Sequence, residues 1–311
     1  GGTVEYNHIT APSTTGVFSS KEPSQAALDG QNATWKDSMN DNNVMIVTIA
    51  RSASENGSYN PGTAGVDPTQ NLNQTDPLGL SDDERDLINA AVTAKAANGG
   101  KVIVLLNNAS AMEVQEIEDN VGVDAILQVG LPGGYGFYGV ADILSGAVSP
   151  SGHLTDTYAV KNASAPSAQN FGDLQWANAN PDISMNDAIV EAENIYIGYK
   201  YYETRYEDFV TGNGNAGDYA YGDIVAYPFG YGMSYTNFDI SDMNVSYNAA
   251  DDTYTVTVKV TNTGDMAGKK TVQVYVQSPY TDYDKANGIE KAAAELCGFA
   301  KTDVLAPGAS E

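Results

Sequence analysis

Two short stretches, Ser81-Asp82-Asp83-Glu84 and Lys101-Val102-Ile103-Val104-Leu105-Leu106, indicate the fold class. In the first, the Ser81 hydroxyl can accept from the Glu84 amide while the Glu84 carboxylate accepts from the Ser81 amide, which is a capping box. It predicts a helix that ends at Asn98-Gly99-Gly100 and buries a face formed by Leu87, Ile88, Ala91 and Val92. The second stretch is a continuous apolar run, typical of a buried strand.

The same alternation of elements extends in both directions. Buried or strand-like runs occupy 44–50, 125–129, 153–158 and 195–202, and helical patterns occupy 25–28, 112–120 and 136–144. Strands that alternate with helices predict an α/β fold, a layered and mostly parallel sheet with flanking helices. From about residue 238 the pattern changes to period-two runs at 254–260 and 271–276, which predict an antiparallel β-sandwich. We therefore expect an α/β sandwich domain over 1–237 and an incomplete sandwich domain over 238–311.

Composition excludes several classes of partner. The net charge of −25 repels phosphate backbones, so we expect no nucleic acid partner, and no apolar run is long enough for a membrane span. The single cysteine excludes an intrachain disulfide, and we expect Cys297 to be an inert core residue. With one cysteine and two histidines, a dedicated transition-metal site is improbable. The acidic, cysteine-poor composition favours an extracellular or cell-surface location in a bacterium, with a cytoplasmic location as the alternative.

The first candidate site is the segment Arg51-Ser52-Ala53-Ser54-Glu55-Asn56-Gly57, which follows the strand at 44–50. Ligands bind outside the carboxyl ends of strands in open α/β sheets. A partly buried carboxylate there can act as a general acid, although Arg51 nearby favours its ionised form. From spacing alone, an exposed loop glutamate or a surface pair between Glu55 and Arg51 is the favoured interpretation.

The second candidate is Gly134-Tyr135-Gly136-Phe137-Tyr138-Gly139, which fits the glycine pattern of dinucleotide-binding loops, with Asp156 about 20 residues later. The motif follows the third strand and Asp156 is predicted to lie mid-strand, so a turn that allows close helix–sheet packing is the favoured interpretation. The tyrosines of 196–206 could stack on sugars, but core packing with a wet hydroxyl edge is commoner.

From about residue 40 onward the chain resembles the non-barrel domains of glycoside hydrolase family 3. Six segments match the family's motifs in order: 51–57, 80–107, 141–154, 195–202, 227–236 and 262–268. The last of these is similar to a turn of the family's fibronectin type III-like domain, and the matches make the glycine motif part of the fold, with no cofactor expected.

The resemblance implies a fragment of a retaining, exo-acting β-glucosidase-like enzyme that hydrolyses a β-glucoside or oligosaccharide. Glu55 matches the family's general acid/base, with Arg51 and Ser54 as substrate-binding residues. The aspartate nucleophile would come from a TIM-like barrel of the same polypeptide, which this sequence lacks, so we expect the chain alone to be inactive. Because Ser54 and Asn56 replace the family's flanking glycines, a non-catalytic carbohydrate-binding or interaction module is the alternative.

Overall fold

The computed structural model describes residues 24–50, 78–170, 174–175, 187–188, 190–213 and 217–311. Its helices are α1 (Gln25–Gln31), α2 (Asp37–Asn40), α3 (Asp82–Asn98), α4 (Gln115–Glu118), α5 (Gly133–Leu144), α6 (Pro166–Asn170), α7 (Tyr199–Thr211), α8 (Tyr221–Ile224) and α9 (Asp282–Asn287). Its strands are β1 (Val44–Ala50), β2 (Lys101–Asn107), β3 (Ala125–Gln128), β4 (Tyr158–Ala159), β5 (Leu174–Gln175), β6 (Asp187–Ala188), β7 (Val225–Tyr227), β8 (Phe238–Asn248), β9 (Thr253–Asn262), β10 (Thr271–Val276) and β11 (Glu295–Lys301).

The chain folds as two compact units. The first takes in residues 1–132, 160–164 and 168–190, and the second takes in 133–159, 165–167 and 191–311. The boundary expected between residues 237 and 238 falls inside the second unit and stays a prediction.

A parallel sheet with the order β1-β2-β3 forms the centre of the first unit. Val44 pairs with Lys101 at one end and Ala50 with Asn107 at the other, while Leu106 pairs with Gln128. The middle strand is buried on both faces, as parallel strands between helices usually are, with Val102 and Val104 fully buried. Among the described strands β1 lies at the edge of this sheet, and its Val44 and Ile46 are each 48% exposed, so the buried strand expected at 44–50 is half-buried instead.

Helix α3 packs on this sheet through the predicted face. The predicted capping box is present, since the Ser81 Oγ accepts from the Glu84 amide and the Glu84 Oε2 accepts from the Ser81 amide at 2.7 Å. Ala91 forms a core cluster with Met45 of β1 and Val102 of β2. The helix ends at Asn98, and Gly99 adopts the left-handed conformation (φ 71°) that favours glycine.

The second unit contains two antiparallel hairpin-like pairs, β8 with β9 and β10 with β11. The alternating runs predicted at 254–260 and 271–276 are confirmed as strands within β9 and β10. With the parallel sheet of the first unit, these pairs confirm the predicted fold class, an α/β layer followed by antiparallel sandwich-type strands.

Three of the motif segments, 141–154, 227–236 and 262–268, meet in the second unit. The Ser149 and Ser234 hydroxyls lie 2.7 Å apart, and the Thr236 hydroxyl donates to the Asn262 Oδ1 at 2.8 Å. A Cβ at Gly232 would lie 2.3 Å from the Gly152 carbonyl oxygen, which explains the glycine. These three motifs therefore serve the packing of this unit.

Two strand predictions and the burial expected for Cys297 are also wrong. In the segment 153–158 only Tyr158 belongs to a strand, and it pairs antiparallel with Tyr227 instead of extending the parallel sheet. The segment 195–202 is a turn followed by α7, which begins after Gly198 with φ 56°. Cys297 is exposed rather than in the core: it lies on β11, whose described strand partner is β10 alone, and its thiol donates to the Val274 carbonyl oxygen at 3.3 Å.

Candidate active site

The carboxyl edge of the parallel sheet is the place where the first candidate segment begins. β1 ends at Ala50, opposite Asn107 of β2, and Ala50 is the residue that precedes the candidate segment in the sequence. The three candidate residues Arg51, Ser54 and Glu55 lie outside the described residues. The structure describes the end of β1 that precedes them and the residues around it. This is the end of the sheet at which open α/β folds bind ligands.

Amide side chains form a polar layer at this edge. The Gln128 Nε2 donates to the Asn108 carbonyl oxygen at 2.8 Å, and the Asn108 Nδ2 contacts the Met112 Sδ at 3.0 Å. Within the part of the chain that the structure describes, the buried side-chain oxygens of Asn107, Asn108 and Gln128 accept no hydrogen bond. Sequence reasoning missed this layer, although a switch from apolar to amide residues directly after Leu106 was the available signal.

Two buried glutamates of the first unit are already engaged in structural contacts. Glu84 is the capping-box residue of α3. Glu113 is 5% exposed, and its carboxylate accepts from the Lys161 Nζ at 2.7 Å and from the Asn162 amide at 2.8 Å. Such a carboxylate is held by its partners in one place, so neither residue is suited to a proton-transfer role at the sheet edge.

The glycine motif does not form a cofactor loop. Residues 134–139 lie inside α5, whereas a dinucleotide-binding loop precedes its helix. A Cβ at Gly134 or Gly139 would meet nothing within 4 Å, so close packing does not explain these two glycines either. Asp156 lies in a bend, not mid-strand as expected, and burial raises the pKa of its carboxyl group.

The tyrosines around α7 mostly pack against neighbours, as the favoured interpretation holds. The Tyr199 ring stacks on Phe229 with centroids 4.5 Å apart, and the Tyr199 hydroxyl accepts from the Leu296 amide at 2.9 Å. Tyr202 is 3% exposed and belongs to a core cluster with Ala159 and Val225. Tyr196 differs from the others, since it borders an open cleft.

The described residues contain neither a metal-binding cluster nor a membrane-spanning helix. No group of three or more His, Cys, Asp or Glu side chains there is arranged to hold a metal ion. No helix in the described ranges is long and apolar enough to cross a membrane.

Comparison with known proteins decides the family. The model of the glycosyl hydrolase family 3 C-terminal domain matches residues 17–235. The chain belongs to glycoside hydrolase family 3. The matched range spans the parallel sheet, α3 and the segment that carries Arg51, Ser54 and Glu55.

Several similar proteins are named as β-glucosidases. The chain is 37% identical over 210 residues to a β-glucosidase of Ruminococcus albus, covering 68% of this chain and 18% of that protein. It is 33% identical over 223 residues to the thermostable β-glucosidase B of Acetivibrio thermocellus, covering 71% of this chain and 24% of that protein. The family 3 chain thus spans about a fifth to a quarter of the length of these relatives.

A solved structure extends the likeness beyond the range of the family model. β-Glucosidase 3B from Thermotoga neapolitana in complex with glucose matches 89% of this chain with a TM-score of 0.66 and 35% identity, over 32% of its own chain. The likeness supports both the α/β layer and the antiparallel strands that follow it.

Proposed function

We propose that this chain is part of a retaining, exo-acting β-glycosidase of the β-glucosidase type, in which Glu55 is the general acid/base. The observation that carries the proposal is the family match over 17–235, which includes Glu55, together with relatives named as β-glucosidases. The end of β1 at Ala50 supports it, because the segment then starts at the ligand-binding edge of the sheet.

In this mechanism Glu55 acts twice. As an acid it gives its proton to the glycosidic oxygen while the bond from the anomeric carbon to that oxygen breaks, and a carboxylate nucleophile bonds to the anomeric carbon. As a carboxylate it then takes a proton from water, whose oxygen displaces the nucleophile and restores the original configuration. The two carboxyl groups of a retaining enzyme lie about 5–5.5 Å apart.

The nucleophile would come from a TIM-like barrel domain of the same polypeptide. Arg51 and Ser54, on the same segment as Glu55, are proposed to contact the sugar. Without the barrel, the 311-residue chain has an acid/base but no nucleophile, so it should not turn over an aryl β-glucoside.

Leaving-group dependence tests the role of Glu55 in the longer polypeptide that includes the barrel. A para-nitrophenyl glucoside needs protonation of its leaving group more than a dinitrophenyl glucoside does. Glu55→Ala should therefore lower kcat/KM by about 10²–10⁴-fold on the poorer leaving group and far less on the better one. Glu118→Ala, which changes an exposed glutamate of α4, is the matched control and should change neither rate.

Equal rates for wild type and Glu55→Ala on both substrates would instead support the alternative, a non-catalytic carbohydrate-binding or interaction module. An equal loss on both substrates would also contradict a role in leaving-group protonation.

A further inference from the structure

A cleft of about 320 Å³ lies in the second unit between α7 and the segment 277–292. Two tyrosines from distant parts of the sequence border it: Tyr196, which is partly buried, and Tyr280, which is 49% exposed. All of its described lining residues belong to the second unit. Its size is at the lower end of the range for small-molecule sites.

One carboxylate in the cleft has no side-chain hydrogen bond to any residue that the structure describes. Asp208 is partly buried on α7, and its side chain makes no hydrogen bond within the described ranges. Burial raises the pKa of its carboxyl group, and Arg205 opposes that shift. The neighbouring Glu207, by contrast, accepts from the Gln277 side-chain amide. Because an ionised carboxylate out of water needs donors, Asp208 is an acceptor for a ligand that carries them.

The cleft also offers a donor and a second acceptor. The Lys291 Nζ donates to the Pro279 carbonyl oxygen at 2.9 Å and to the Asp284 Oδ2 at 2.8 Å, which leaves one of its three N–H groups for a ligand. The Asn213 Nδ2 donates to the Thr211 Oγ1 at 2.9 Å, and its amide oxygen is available as an acceptor. Hydroxyl groups, which both donate and accept, match this mixture.

We propose that this cleft is a binding site for one neutral sugar residue, with hydroxyl groups on Asp208 and Lys291 and a C–H face against Tyr280. The net charge of −25 disfavours an anionic ligand, and the combination of acceptors with one free N–H donor favours a neutral ligand whose hydroxyl groups both donate and accept. Aromatic side chains with a few convergent polar groups are the usual composition of small-molecule sites. This site would hold a sugar without hydrolysing it.

Titration of the 311-residue chain with methyl β-glucopyranoside, followed by saturation-transfer NMR, tests this site. Saturable binding is expected, and Tyr280→Ala should weaken it by about fivefold through loss of the ring face. Asp208→Ala should weaken it by about tenfold. Tyr280→Phe keeps the ring and should bind like wild type, and so should Tyr283→Ala, which changes a 69% exposed tyrosine outside the cleft.

Three results would overturn the proposal. The first is no saturable binding by a chain that melts cooperatively. The second is undiminished binding in both Tyr280→Ala and Asp208→Ala. The third is loss of binding in Glu55→Gln with retention in Tyr280→Ala, which would place the sugar on the candidate active-site segment. Because the expected binding is unaffected by Glu55→Gln, failure here and failure of the hydrolase proposal are distinguishable.

Discussion

The Asn262 side chain forms hydrogen bonds with several segments around the turn that follows β9. Its side chain is fully buried and makes four hydrogen bonds. The Oδ1 accepts from the Thr236 hydroxyl at 2.8 Å and from the Gly264 amide at 3.1 Å. The Nδ2 donates to the carbonyl oxygens of Met266 and Leu305, each at 2.8 Å. The side chain thus joins segments before and after the turn.

Replacement of this residue by alanine should be one of the most damaging single changes in the second unit. At about 1 kcal/mol for each of the four bonds, Asn262→Ala should lower the free energy of unfolding by about 4 kcal/mol. For a unit of about 150 residues, 1 kcal/mol corresponds to about 2–4 °C. The melting temperature of the unit should therefore fall by roughly 8–16 °C.

Differential scanning calorimetry of the chain measures this shift. Asn244→Ala, which changes an exposed asparagine of β8, is the matched control and should cost less than about 0.5 kcal/mol. A fall in melting temperature of less than about 2 °C for Asn262→Ala would contradict this prediction, because it would mean that the four hydrogen bonds contribute almost nothing net to stability.

The remaining predictions concern the first unit and one histidine. Ser81→Ala removes the N-cap of α3 and should lower the free energy of unfolding, measured by urea denaturation, by about 1 kcal/mol. Ser81→Asp keeps a side chain that can cap and should lower it less. Glu113→Gln weakens the part-buried contacts with Lys161 and Asn162, so it should lower the free energy of unfolding by about 2 kcal/mol, measured by urea denaturation. An unchanged free energy of unfolding would contradict a stabilising ion pair. Burial, followed by the charge of Lys270, lowers the pKa of His153 below its ordinary value of 6.5. The folded state then binds this proton less readily than the unfolded state, so stability is retained above pH 6.5 and is lost as pH falls through the lowered pKa. Melting temperatures between neutral and mildly acidic pH should fall less steeply for His153→Gln than for wild type, and parallel curves would refute this.

Local signals allowed much of the first unit to be predicted. The capping box and the Asn98-Gly99-Gly100 stop define α3 through contacts within a few residues, and both are present in the structure. Residues 102–106 form a continuous apolar run because β2 is covered on both sides. The burial of β1 was not predictable in the same way, since an edge strand and a central strand can carry equally apolar sequences.

The errors lie where contacts distant in sequence determine the element. Ile195 to Tyr202 has the aromatic and β-branched composition of a strand, yet Tyr199, Tyr202 and Tyr206 also have the spacing of a helix face. Contacts of Tyr199 with Phe229 and Tyr275 favour the helix, and no local pattern indicates them. The cleft between α7 and the segment 277–292 could not be predicted either, because the residues that line it come from segments about 70 residues apart and their proximity depends on packing.

The proposed role of Glu55 as general acid/base was predicted from a motif rather than from charge or burial. Azide rescue tests it most directly. In the longer polypeptide that includes the barrel, Glu55→Ala should form the glycosyl-enzyme from a dinitrophenyl β-glucoside but hydrolyse it slowly, because no base activates water. Azide needs no such base, so it should accelerate turnover and yield β-glucosyl azide, identified by NMR. A Glu55→Ala variant that is neither slowed in hydrolysis nor rescued by azide would contradict the account and place the acid/base elsewhere.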